Sequence, residues 1–350
     1  MHFIVRLHLY NIMKELLIFY FSGTGNAHQV AEWIKKEAID NGVACSLYDI
    51  TRLNIHNLTI DCDANIGLIS PVHGFNYPPI MLSFISRFPH GHNRVILMNT
   101  RAGMKIGSIV TPGLSGITFL FSAMIFRMKG YKVIGMIPFD MPSNWLSLHP
   151  ALRGNAVDYI FEENQNRVKK HFKRLCNKGT DFTALREIVQ DILIAPIALL
   201  YYAIGRFFIA KTFYASNRCI HCDLCVKQCP NKAIIKKNDH PYWTFKCESC
   251  MKCMNICPAR AIETSHGLVL ITVLCTLLLS SSAIYAMLPH IFNNELVSFL
   301  TTNIILFCIM ALFYRVQHTL IGKKSIAKVI RLLSLTHFNW WGRYNKNKTS

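Results

Sequence analysis

Eight cysteines constrain this chain more than any other feature. They fall in two runs, Cys219-x2-Cys222-x2-Cys225-x3-Cys229-Pro230 and Cys247-x2-Cys250-x2-Cys253-x3-Cys257-Pro258, offset by 28 residues. Each run continues Cys-Pro-x-x-Ala-Ile, at Ala233-Ile234 and again at Ala261-Ile262, so the region is an internal repeat. Three thiolates at two-residue gaps curl around one corner of an iron–sulfur cubane. The fourth, followed by proline, leaves in another direction and ligates the other cluster. The spacing predicts one [4Fe–4S] cluster on Cys219, Cys222, Cys225 and Cys257, and a second on Cys247, Cys250, Cys253 and Cys229. Zinc sites use two close pairs across a longer loop and would leave a third close cysteine without a role. Disulfides need an oxidising compartment, and no cleavable signal peptide is visible. The remaining cysteines, Cys45, Cys62, Cys176, Cys275 and Cys308, read as buried apolar residues.

With these residues in place, the segment over roughly residues 216–266 resembles the bacterial two-cluster ferredoxins, a small α+β domain. Composition then narrows the rest. Only 16% of the 350 residues are charged and 51% are hydrophobic, which excludes a disordered chain. The formal charge of +19 calls for an anionic partner. Two clusters at about −2 each offset roughly 4 of it.

Leu16-Leu17-Ile18-Phe19-Tyr20-Phe21 is the continuous apolar run of a buried parallel strand. It enters Ser22-Gly23-Thr24-Gly25-Asn26 and then a helical pattern through Val30, Trp33, Ile34 and Ala38. Strand, small-residue loop and helix make a phosphate site, because backbone N–H groups and hydroxyls converge where glycine lets the chain approach. A Walker A loop is excluded because no Gly-Lys-Ser/Thr follows. The dinucleotide fingerprint lacks its third glycine, His28 standing there, although Asp49 sits near the place of its acidic residue. Further strands are expected at Val43–Tyr48, Ile66–Ser70, Arg94–Asn99 and Lys132–Pro138, with helices at Pro79–Phe88, Leu114–Met128 and Ala156–Leu175. That alternation predicts an α/β doubly wound parallel sheet with ligands at the strands' carboxyl ends.

Over roughly residues 13–175 the chain resembles a flavodoxin-like domain. The resemblance implies that Ser22, Gly23, Thr24, Gly25, Asn26 and Ala27 hold an FMN phosphate. It also implies that Pro71, Val72, His73, Gly74 and Phe75, with Thr100, Arg101, Ala102 and Gly103, flank the isoalloxazine. The stacking aromatic is open among Phe75, Tyr77 and His73. Arg101 beside the ring would favour the anionic hydroquinone. Residues 1–12 read as an upstream start-site extension, with Met13 opening the domain.

Gly267–Leu288 holds 22 residues without a charge and Leu296–Tyr314 another 19. Each is long enough for a hydrocarbon core of ~30 Å, so a C-terminal transmembrane helical hairpin over 267–314 is expected. Residues 315–350 carry eight Lys+Arg and no acidic residue, whereas the 289–295 connector carries no Lys or Arg. The positive-inside rule then places the redox domains and the C-terminus in the cytoplasm, on the inner (cytoplasmic) membrane. In that tail Ile326, Val329, Ile330 and Leu333 share a helical face among Lys323, Lys324, Lys328 and Arg331, with Trp340-Trp341 following. This suits an anionic lipid surface, and no nucleic-acid-reading motif accompanies the basic residues. Ile192–Ala210, apolar apart from Arg206, reads as a connecting helix within a 176–215 linker. As a third span it would separate the two redox regions across the membrane.

The order of these parts resembles the flavodoxin–ferredoxin fusions known as EFR-type ferredoxins, to which the hairpin is an addition. The expected function is a membrane-anchored iron–sulfur flavoprotein that relays electrons between FMN and two [4Fe–4S] clusters. Its partners would be a redox protein and membrane lipid, with a quinone among the acceptors. Two alternatives are a flavin-dependent reductase with its own organic substrate and a non-catalytic redox sensor or assembly subunit. No complete NAD(P) fingerprint and no effector domain accompany the cysteines.

Overall fold

The computed structural model describes residues 13–55, 58–281 and 295–342. The expected start-site extension, most of the 289–295 connector and the last basic residues lie outside these. The chain divides into two compact units: residues up to Asn144 with Leu152–Ala203, and Trp145–Ala151 with the chain from Ile204 onward.

The first unit is built on β1 (Glu15–Tyr20), β2 (Ala44–Asp49), β3 (Asn65–Pro71), β4 (Arg94–Ile106), β5 (Ile109–Thr111) and β6 (Lys132–Pro142). Its helices are α1 (Asn26–Asp40), α2 (Pro79–Arg87), α3 (Thr118–Met128) and α4 (Gly154–Lys178). The parallel strands lie in the order β2-β1-β3-β4-β6, with β5 antiparallel on the end of β4. This is the flavodoxin-like order, its reversal falling between β1 and β3. Alternation along β1 explains the double burial. Ile18 joins Val30 and Ile34 of α1 and Phe172 and Leu175 of α4 in one core. Phe19, pointing the other way, meets Phe84 and Phe88 at ring separations of 5.6 and 5.4 Å. Gly67 in β3 has no room for more, since a Cβ there would lie 3.1 Å from Met98 Cε and 3.2 Å from Ile18 Cγ1.

Three expectations change here. Thr100–Gly103 is not a loop: β4 runs on to Ile106, pairing Thr100–Gly103 with Phe139–Pro142 of β6, and turns back through Gly107 (φ +61°) into β5. The third helix starts at Thr118 rather than Leu114, because Gly116 adopts φ +58° and breaks the helical path. The connecting segment is not one helix. α5 (Ile188–Leu193) and α6 (Ala195–Leu200) are separated by a bend of 74°, and the short α7 (Arg206–Ala210) ends the segment. Pro196 in the first turn of α6 has no N–H to continue the ladder and its ring clashes with the carbonyl four residues back.

The second unit pairs β7 (Phe213–Ala215) with β10 (Ile262–Thr264), and β8 (Ile234–Lys237) with β9 (His240–Trp243), all antiparallel. Short helices α8 (Leu224–Lys227) and α9 (Lys252–Ile256) occupy equivalent places in the two cysteine runs. The longer α10 (His266–Ser281) and α11 (Glu295–Leu320) add Leu268, Met310 and Tyr314 to a core containing Phe213, Trp243, Met251 and Met254. Among the described residues no single helix is long and apolar enough to cross a membrane. The basic tail forms α12 (Lys324–Leu332) and then folds back. Thr336 Oγ1 accepts from Thr264 N, and Trp341 is buried, its Nε1 donating to Leu146 O at 2.7 Å. Of the two tryptophans expected at a lipid surface, only Trp340 is exposed, at 66%.

Candidate functional site

The cysteines of the two runs gather into two cavities. One is walled by Cys219, Cys222 and Cys225 together with Cys257, the other by Cys247, Cys250 and Cys253 together with Cys229. None of the eight is in a disulfide. The repeat is written into the backbone as well as the sequence. His221, Asp223 and Lys232 have φ of 53°, 58° and 48°, and Ser249, Met251 and Arg260, each 28 residues later, have 52°, 58° and 48°. Side-chain-bearing residues resist this left-handed region at a cost of about 1 kcal/mol or more each. Its recurrence at matching positions gives the two cysteine loops the same bend, each beside its own cavity. Backbone N–H groups turn toward the sulfurs: Ala233 N to Cys229 Sγ at 3.2 Å, Ala261 N to Cys257 Sγ at 3.3 Å and Ser249 N to Cys247 Sγ at 3.4 Å. Such donors stabilise sulfur bearing negative charge.

Burial pushes the Cys225 thiol up to about 11 and the Cys250 thiol up to about 12. Cys253 is raised well above its ordinary value for the same reason. Without metal these groups hold their protons. Iron coordination reverses that, so loading the site releases protons. Four sulfur donors around each cavity, approached by amides, fit a [4Fe–4S] cluster. The other five cysteines are elsewhere and none is fully buried; Cys62 and Cys308 are exposed, on a turn and on a helix face respectively.

In the first unit, the loops after β1 and β3 stand on either side of the switch point in strand order. Gly25 opens α1 at φ 102° and donates its N–H to Ser22 Oγ at 3.0 Å, while no side chain caps the helix. Asn26 Nδ2 donates to Pro142 O at 2.8 Å, tying the loop to the end of β6. This small-residue turn fits a phosphate. In the second loop Val72 N donates to Thr100 O at 2.9 Å, and His73 N to Asn76 O at 2.8 Å. Tyr77 is wholly buried with its hydroxyl on Met98 O, so it faces the core. The ring lying on this loop is Tyr201: a Cβ on Gly74 would fall 1.9 Å from Tyr201 Cδ1. Sequence reasoning missed Tyr201 because it lies in the connecting segment.

Arg101 is bound through its guanidinium by Asp140, Ser115 and Glu187. Its side chain is 2% exposed, and Nε donates to Asp140 at 2.6 Å. Nη1 donates to Ser115 and Glu187, and Nη2 to Asp140 and Glu187. All five guanidinium N–H donors thus have protein acceptors. Asp140 and Glu187 also neutralise the charge that would act on a flavin ring.

Residues 218–262 match the family model of the 4Fe–4S dicluster domain. No curated protein matches the chain. Among solved structures, a flavodoxin from the domain Archaea is similar at 12% identity over 45% of this chain and 99% of its own, with a TM-score of 0.28. The two-electron reduced Megasphaera elsdenii flavodoxin is similar at 18% identity over 43% and 98%, TM-score 0.29. The flavodiiron protein from Giardia intestinalis is similar at 14% over 48% of this chain and 38% of its own, TM-score 0.32.

Proposed function

We propose that this chain is a membrane-anchored electron-relay protein carrying FMN in its first unit and two [4Fe–4S] clusters in its second. The observation that carries the reading is the grouping of eight free cysteines, four and four, inside a segment that matches a 4Fe–4S dicluster domain. FMN exchanges electrons singly or in pairs and each cluster exchanges one, so together they join a pair-transferring partner to a single-electron partner. The chain's own task is to hold these groups. Ser22–Ala27 would offer hydroxyls and the first amides of α1 to the phosphate. Pro71–Phe75 would border the ring, with the β4–β6 edge at Thr100–Gly103 closing the crevice from the far side. The partners are a redox protein on one side and a membrane acceptor, with a quinone as one class, on the other.

The anchoring is supported by exposed apolar surface. Leu270, Ile271, Leu274, Leu277 and Leu278 of α10 are exposed, as are Val297, Ile304, Ile305 and Leu312 of α11. Exposed apolar side chains grouped on one pair of helices suit a membrane or partner surface. α12 adds Val329 and Leu332, and Leu333 just beyond its end, beside its lysines. On this reading the redox units face the cytoplasm at the inner membrane. The full chain is expected to stay with the membrane after a high-salt wash and to leave it in detergent. Release by salt alone would reduce the anchoring to surface electrostatics.

The flavin is tested by titrating FMN into anaerobically purified protein. One FMN per chain is expected. Tyr201→Ala, which removes the ring packed on Gly74 of the Pro71–Phe75 loop, is expected to weaken it, with iron content unchanged. A chain that binds no FMN removes the relay and favours a sensor or assembly role.

A further inference from the structure

We propose that Lys211 sets the two clusters apart in potential, acting as a buried positive charge on the one held by Cys229, Cys247, Cys250 and Cys253. This rests on the two-cluster reading above. Lys211 is 2% exposed, an unusual place for a lysine. Its Nζ donates to Trp243 O at 2.6 Å. It also lies over the rings of Phe245, Tyr314 and Tyr242, at 4.0, 4.8 and 4.9 Å from their centroids. These four partners are neutral, so the hydrogen bond and the rings hold the ammonium without cancelling its charge. Trp243 itself walls the cavity of Cys229, Cys247, Cys250 and Cys253. The lysine is therefore one residue removed from that cavity.

The other cavity has the opposite surroundings. The charged side chains in its wall are Asp223 and Asp239, the first paired with Lys236 Nζ at 2.7 Å. In the Cys229 cavity the charged wall residues are Glu248 and Lys252, one of each sign, and Lys211, with Arg315 near it, adds positive charge behind Trp243. An electron entering a cluster adds one negative charge. A cation held away from water favours that state strongly, while Asp223, half-buried but paired with Lys236, and the exposed Asp239 oppose it weakly. Burial of Cys247, Cys250 and Cys253 on its own disfavours added charge, and Lys211 counteracts this at the more enclosed cluster.

The test is an anaerobic dithionite titration of the full chain, followed by electron paramagnetic resonance, with iron counted in every sample. The wave that persists when Cys222→Ser removes the other cluster identifies the Cys229 cluster. Lys211→Met keeps the aliphatic stem without the charge. It is expected to lower that wave alone, by at least about a tenfold change in the reduction equilibrium, or ~59 mV for one electron. Lys211→Gln, which can still donate to the Trp243 carbonyl, is expected to do the same. Lys211→Arg is expected to leave the wave nearly in place. With about eight irons per chain retained, an unmoved wave, or both waves moving together, in either neutral variant overturns the role of Lys211 alone. A wild-type chain without iron overturns the two-cluster reading, and this inference with it.

Discussion

Cys257→Ser is expected to strip the cluster held by Cys219, Cys222 and Cys225 and to spare the one held by its own run. Cys229→Ser should do the reverse. The reason is the crossed grouping of the cavities, in which the last cysteine of each run walls the cavity of the other. Serine is a poor iron ligand and the remaining three thiolates hold a cluster weakly. Iron should therefore fall from about eight to about four per chain in each variant. Resonance spectra should show which half is lost. Uncrossed loss, with Cys257→Ser removing the Cys247 cluster, would overturn the arrangement. Equal loss of both in every single variant would mean that the clusters do not assemble independently.

Removing both clusters should do more than silence the spectra. His221, Asp223, Lys232, Ser249, Met251 and Arg260 sit in left-handed backbone. Together they cost on the order of 6–12 kcal/mol, as much as the whole stability of an ordinary domain. Metal binding in such a site is folding free energy. Chelation under reducing conditions is expected to unfold the second unit, read as loss of amide protection around β7–β10, and not merely to empty it. The thiols raised by burial add a direction in pH. Each must lose its proton to iron, so the site holds metal less tightly as pH falls.

What the sequence shows and what it hides divides along distance in the chain. The cysteine runs are legible because a cubane dictates spacing within a dozen residues. The parallel strands are legible because double burial leaves a continuous apolar run, as at Leu16–Phe21. Contacts made across the chain left no such trace. Arg101 finds Asp140 and Glu187 at separations of 39 and 86 residues, and nothing local to Thr100–Gly103 announces a strand held by that pairing. Tyr201 meets Gly74 from a segment whose apolar character reads equally well as a span or a linker. Trp341 has the composition of a membrane anchor and is claimed by the Leu146 carbonyl, 195 residues away. Lys211 looks like any surface lysine until three rings close over it.

Asp140→Ala is expected to be the most damaging single change in the first unit. Asp140 Oδ1 accepts from Arg101 Nε at 2.6 Å and from Gly113 N at 2.9 Å, and Oδ2 accepts from Arg167 at 2.5 Å. Removing it leaves Arg101 almost wholly buried with Glu187 as its remaining anion. Breaking a buried pair in this way costs about 3–5 kcal/mol, a drop in melting temperature of roughly 10 °C for a unit of this size. Replacing Arg101 and Asp140 together by apolar residues of similar volume should cost less than the two single losses combined, because no charge is then left unpaired. The pH dependence follows from the same geometry. Burial alone would raise the Asp140 carboxyl, but Arg101 and Arg167 outweigh it and hold the group below the usual carboxylate range. Its contribution is therefore fully present above the unfolded carboxylate value of about 4. It is lost as pH falls through the lower folded value. Asp140→Asn should lose that acid-sensitive component and show a flatter stability profile below pH ~4. Because the network ties the β4–β6 edge to Gly113 and Glu187, Asp140→Asn should also loosen the crevice and raise the dissociation constant for FMN. A variant with wild-type urea midpoint and wild-type FMN affinity would show that the network neither supports the fold nor shapes the crevice.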